Sequence, residues 1–107
     1  MKKNTITFAQ ASLHDIRNTS SHKGYIKTTA RELTKVLGRP NHCNDKSAFQ
    51  WFCKYGSVIF TVYDYRESVR PKQNTEIEYH IGTKAPEDTG IIVGLLAALG
   101  LEAYIKN

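Results

Sequence analysis

A chain of 107 residues and 12.1 kDa has room for one domain with a modest core and no need of metal or disulfide staples. No stretch approaches the roughly 18–20 apolar residues that span a bilayer. The basic start Met1-Lys2-Lys3 is followed by no apolar signal core, so the expectation is a cytoplasmic protein in which Cys43 and Cys53 are reduced thiols. The net charge of +5 is uneven: residues 1–70 hold 12 Lys/Arg against 5 Asp/Glu (+7), and residues 71–107 hold 3 against 5 (−2). A basic half of that size is either ordinary solubilising charge or a contact surface for nucleic acid, a nucleotide or an acidic protein.

The chain opens on Thr5-Ile6-Thr7-Phe8-Ala9, which has the composition of an edge strand. Ser12 begins a mixed polar stretch in which Leu13 and Ile16 anchor at most a short helical turn, and 18–24 reads as loop. Residues 1–24 are the least defined part of the single domain expected over 1–107. Tyr25 to Thr28 is a short extended lead-in to the first helix. Thr29 and Glu32 have capping-box spacing, Leu33, Val36 and Leu37 form an i, i+3, i+4 apolar stripe, and Gly38 followed by Pro40 stops the helix. Lys27, Arg31, Lys35 and Arg39 recur every four residues and predict a basic ridge beside that stripe.

The centre of the chain reads as an antiparallel meander. Phe49 to Tyr55 alternates, Gly56-Ser57 is a hairpin turn, and Val58 to Tyr65 is rich in β-branched and aromatic residues on both faces. The polar loop 66–75 carries Arg66, Arg70 and Lys72. A third strand, Glu76 to Ile81, turns Ile77, Tyr79 and Ile81 inward and Glu76, Glu78 and His80 outward. Pro86, Glu87 and Asp88 suit the start of a second helix. Ile91, Ile92, Val93, Leu95, Leu96 and Leu99 cover more than half its circumference, which predicts a helix lying deep on the sheet. Gly100-Leu101 reads as a Schellman stop, and Tyr104-Ile105 as either a last edge strand or a packed tail. The expected fold is α+β: one domain, an antiparallel sheet of about four or five strands, two helices, in the order (β)βαβββα.

Four groups of residues are candidates for function. The basic ridge Lys27, Arg31, Lys35 and Arg39, with Arg66, Arg70 and Lys72, could meet phosphates or an acidic partner, with Tyr63, Tyr65 and Tyr79 available to stack on bases. The junction His80-Ile81-Gly82-Thr83-Lys84 precedes a helix N-terminus. It lacks a phosphate-loop pattern, and Glu87 and Asp88 would oppose an anion, so turn chemistry also explains it. His42, Cys43 and Cys53 lack the paired short spacing of structural zinc sites, and neither a metal nor a cofactor is expected. Gly90, Gly94 and Ala98 share one side of the second helix, either as a dimer seam or to let the helix sit close to its own sheet. A Cys/His pair from Cys43 or Cys53 with His80, or a carboxylate pair from Asp64 and Glu78, sits in no motif whose mechanics can be argued. No catalytic residue is assigned on that basis.

The segments Tyr25-Ile26-Lys27-Thr28-Thr29-Ala30-Arg31-Glu32-Leu33, Leu37-Gly38-Arg39-Pro40, Trp51, Thr61-Val62-Tyr63-Asp64-Tyr65 and His80-Ile81-Gly82 resemble a group of small accessory proteins encoded by tailed bacteriophages and related mobile elements. The likeness spans about Tyr25 to Leu99 in short pieces. It departs in having Tyr79 where tryptophan would precede His-Ile-Gly, and in its longer N-terminal segment. The resemblance implies a context, expression in the bacterial cytoplasm during infection, and carries no activity. Three functions follow as expectations: a phage protein that binds and neutralises a host factor, such as a defence protein; a nucleic-acid or nucleotide binder using the basic face; or a small hydrolase with an unrecognised site. Monomer and homodimer both fit.

Overall fold

In the computed structural model, which describes residues 8–41, 48–65 and 71–106, eight elements follow in the order β1 (Ala9–Gln10), β2 (Ser20–Thr28), α1 (Ala30–Leu37), β3 (Gln50–Tyr55), β4 (Val58–Tyr63), β5 (Ile77–Thr83), α2 (Pro86–Ala98) and β6 (Glu102–Ile105). The six strands form one antiparallel sheet in the order β1-β3-β4-β5-β2-β6. The meander is β3-β4-β5, with Trp51 opposite Val62 and Val62 opposite Ile81. The fold is α+β in one domain, with one strand more than the upper expectation.

Both helices cover the same face. Ile26, Trp51, Cys53, Phe60, Val62, Tyr79 and Ile81 point from four strands into one cluster with Ala30 and Leu33 of α1 and Ile92 and Leu96 of α2. The helix boundaries follow the sequence signals. Thr29 accepts the Glu32 N–H at 3.2 Å, Gly38 ends α1 at φ 87°, and the Trp51 indole N–H donates to the Gly38 carbonyl at 2.8 Å, tying the stop to the core. At the end of α2 the Leu101 N–H bonds Leu96 O and the Gly100 N–H bonds Ala97 O, which is the Schellman pairing.

Three expectations need correction. Residues 20–24 are strand, not loop: Ser20 and Ser21 pair with Thr83 and Gly82, a bulge follows, and pairing resumes at Gly24 opposite Ile81. Lys23 sits in that bulge at φ 65°. A polar segment with no strand propensity is held extended here by its neighbour β5. The expected edge strand at 5–9 falls mostly outside the described residues, and pairing with β3 is seen at Ala9–Gln10. Ser12 does begin a turn, in which its hydroxyl and the Asp15 carboxylate exchange bonds with each other's backbone N–H; Leu13, however, is exposed and anchors nothing.

The third correction concerns α2. It is seated by Thr89, Ile92 and Leu96, while Ile91 is 47 % exposed. Gly90, Gly94 and Ala98 are exposed, and a Cβ added at either glycine would meet nothing within 4 Å. These small residues therefore do not let the helix approach its sheet. The close approach is made by the strand: a Cβ on Gly24 would lie 2.5 Å from the Thr89 methyl.

Candidate functional site

The face of the sheet away from the helices is built by the alternate residues of the same strands. Register places Tyr104 opposite Tyr25, Tyr25 opposite His80, His80 opposite Tyr63 and Tyr63 opposite Gln50. A row of aromatic side chains thus crosses four strands. Tyr25 and His80 have centroids 5.1 Å apart at 59°, His80 and Tyr63 5.4 Å at 13°, and Tyr65 meets His80 edge-on at 6.3 Å. Tyr25 and Tyr104 stack at 6.3 Å, and the Lys106 ammonium lies 4.6 Å from the Tyr25 ring centre. The rings are half-buried by one another, and Tyr65 is 42 % exposed.

Two nearly parallel rings at 5.4 Å are too close to lie side by side in one plane. They stand on the sheet and cover each other's faces, so the surface presents ring edges and phenol hydroxyls. The charges around the row balance: Lys27 lies between Glu78 and Glu102 in the adjacent register row, and Lys106 bonds Glu78 at 2.7 Å. Lys106, then the Tyr104 hydroxyl, hold the Glu78 carboxyl below its ordinary value. The bond to Glu78 in turn pushes Tyr104 up to about 12. Tyr63 is also raised, first by desolvation and then by Tyr25 and Tyr65. Beyond the row, Phe52 and Thr61 share this face but are buried. The connection from β1 to β2 starts there, where Ala11 to Leu13 line a depression of about 490 Å³ with Phe52 and Asn41.

The sequence-expected residues distribute as follows. Arg31 and Lys35 are exposed on α1, with Lys35 3.7 Å from Glu32. The Arg31 backbone N–H bonds Gln73 O, which brings the Lys72 turn beside the start of the helix. Arg39, past the helix stop, lines a separate depression with Thr34, Phe49 and Gln73. Lys27 is on β2 and points to the opposite face of the sheet, so the four-residue repeat is no continuous ridge. Arg66 and Arg70 lie outside the described residues.

Tyr79 is fully buried against Trp51 and cannot stack on a ligand. This follows from its inward parity, with which a stacking role was always in conflict. Thr83 is fully buried too: its hydroxyl donates to Ala85 O at 2.8 Å and accepts from Thr89 at 2.7 Å. Lys84 is exposed at a bend, so the 80–84 junction holds no threonine hydroxyl open to a ligand. The sheet separates the two enzymatic pairs. Cys53 is on the helix-covered face, its thiol pushed up to about 12 by burial, while His80 is on the other. Asp64 is buried and Glu78 is on the open face. His42 and Cys43 lie outside the described residues, among which no cluster of metal-ligating side chains occurs.

Sequence reasoning named Tyr63, Tyr65 and His80 among the possible contact residues, without placing them on one face, and missed Tyr25 and Tyr104. The signal available was their parity: both are flanked by apolar residues, Ile26 on one strand and Ala103 and Ile105 on the other. What joins them is the placement of β2 between β5 and β6, which no local pattern encodes. The chain matches no protein-family model, and no match to it is found among curated proteins or solved structures.

Proposed function

We propose that this is a small non-enzymatic binding protein, of the bacteriophage accessory kind its sequence resembles, and that it captures and neutralises a host protein through the Tyr104–Tyr25–His80–Tyr63 face. The observation that carries this reading is the row itself: half-exposed aromatic residues in register on the face opposite both described helices. Tyrosine supplies large contact area with few rotatable bonds and a polar tip, which is why it dominates protein-binding surfaces. Single-stranded nucleic acid would need ring faces on which bases can lie. Here those faces are turned on one another, and the charges nearby cancel.

The test is capture from lysates of candidate bacterial hosts, with the recovered protein then titrated in purified form. One stoichiometric partner is expected, with Tyr25→Ala and Tyr63→Ala each weakening affinity more than tenfold while the thermal melt stays two-state. A partner bound equally well by both variants would remove the face from the mechanism. Binding to single-stranded oligonucleotides that falls steeply with salt and survives both variants would instead favour the cationic neighbours Arg31, Lys35 and Lys72.

A further inference from the structure

The two edges of the sheet are finished differently. At the β3 edge, β1 is only two residues long, and the ladder beyond it is closed by loops: the Ala11 N–H bonds Phe52 O, the Asn41 side chain accepts the Phe52 N–H at 2.7 Å, and the Asn41 N–H bonds Gln50 O. Short edges and loop cover are the usual ways to blunt a free strand. At the other edge β6 runs for four residues and carries charge only at its two ends, Glu102 and the following Lys106. Among the described residues its one neighbour is β2, it carries no proline or bulge, and Ile105 is 47 % exposed.

The Lys106 N–H bonds Lys23 O, so by antiparallel alternation Glu102, Tyr104 and Lys106 aim their backbone groups at β2, and Ala103 and Ile105 aim theirs outward. The Ala103 N–H turns back to Leu101 O at 3.0 Å. The Ala103 carbonyl and the Ile105 N–H and carbonyl remain on the outer edge.

We infer that β6 pairs antiparallel with β6 of a second copy of this chain about a twofold axis at Tyr104, joining two sheets into one of twelve strands. The occupant is specified by the sequence of the edge, which is complementary to itself. With Tyr104 opposite Tyr104 of the second copy, Ala103 falls opposite Ile105, the outward Ile105 N–H of each copy meets the Ala103 carbonyl of the other, and Glu102 falls opposite Lys106. Cross-strand pairs of opposite charge and of aromatic rings both favour this register. Lys106 has three donors, so it can hold Glu78 of its own chain and still face Glu102 of the second copy. Shifting the centre to Ala103 sets Glu102 against Tyr104, and shifting it to Ile105 shortens the ladder. The axis is perpendicular to the sheet, so the two aromatic rows become one, Tyr63–His80–Tyr25–Tyr104 running on into its symmetry mate. The contact is isologous and uses a strand edge, not the Gly90/Gly94/Ala98 side of α2. It does not depend on whether the aromatic face binds a host protein.

Sedimentation equilibrium of the full chain should give twice the 12.1 kDa mass. Ile105→Pro removes an outward N–H and no bond to β2; it should give a folded monomer with an unchanged circular dichroism spectrum. In a Cys43→Ser background, Tyr104→Cys should cross-link to a dimer under mild oxidation, because directly opposed residues in a non-hydrogen-bonded pair have Cα atoms about 4.5 Å apart, within disulfide reach. Ile105→Cys should not, its symmetry mate being displaced beyond that reach. A monomer at millimolar concentration, a dimer that persists in Ile105→Pro, or cross-linking through Ile105→Cys in preference to Tyr104→Cys would each overturn the pairing. Should Ile105→Pro fail to fold, the two cysteine variants decide the question alone.

Discussion

Asp64 is the residue whose role is least visible in the sequence. It follows Tyr63 at the end of β4, is 2 % exposed, and accepts the Ala48 N–H at 2.9 Å and the Phe49 N–H at 2.7 Å. It fastens the entry of β3 to the exit of β4. Asp64→Ala would strand two part-buried amides, and a buried group left unsatisfied costs roughly 1–3 kcal/mol. The variant should therefore lose about 2–4 kcal/mol in urea denaturation, and Asp64→Asn, which keeps one acceptor, should lose less. At the other end of the sheet, Glu78, Tyr104 and Lys106 form a linked set with opposite titration signs. The Glu78 carboxyl is depressed, so its contribution is present above the ordinary carboxylate range and fades as pH falls through the lowered value. Tyr104 is raised to about 12 and Lys106 is also raised, so theirs is complete below about 10 and fades as pH climbs through the higher values. Absorbance titration should show one tyrosine ionising near 12, and Glu78→Gln should return it toward the ordinary phenol value. Amide protection of β6 should be greatest between those limits.

At the scale of elements, the helices show what local pattern can and cannot specify. Thr29, Gly38, Pro86 and Gly100 mark the boundaries because capping and φ preferences act within a few residues. The seating of α2 was misjudged because its hydrophobic residues surround the axis, and periodicity then selects no face. Gly24 and Thr89, which make the close contact, are small or polar and carried no signal. Gly90 and Gly94 face solvent with free space around them, and glycine in an exposed helix is worth about 1 kcal/mol less than alanine. Gly90→Ala and Gly94→Ala should each raise the melting temperature, the two effects nearly adding. Gly24→Ala should lower it, because the new Cβ would meet a Thr89 methyl whose hydroxyl is committed to Thr83 and overpacking costs about 1–3 kcal/mol. β2 was read too short for a related reason: Ser20 to Lys23 are extended by pairing with β5 and not by propensity.

For the whole molecule, the charge asymmetry along the chain does not become one basic surface. Lys27 and Arg31, four residues apart, lie on opposite faces of the sheet, and Lys35 is beside Glu32. Single-point reversal of Arg31 or Lys35 should accordingly leave partner affinity within about twofold if capture uses the aromatic face, since both sit on the helix side of the sheet and a charge outside the contact mainly alters association rate. This is measurable by the same titration that tests Tyr25 and Tyr63. The core assembled as its alternation required: Trp51, Phe60 and Ile81 are all fully buried together, and Arg31 and Lys35 face water.

The sequence by itself determined the two helices, the β3–β4–β5 meander and the inward side of β5, because capping, turn geometry and alternation are local properties of a chain. Only the tertiary structure decided that β2 enters the sheet between β5 and β6, and with it the aromatic row and the open strand edge. Both arise from register between segments far apart in sequence, where side chains from four strands become neighbours through backbone pairing that no single stretch encodes.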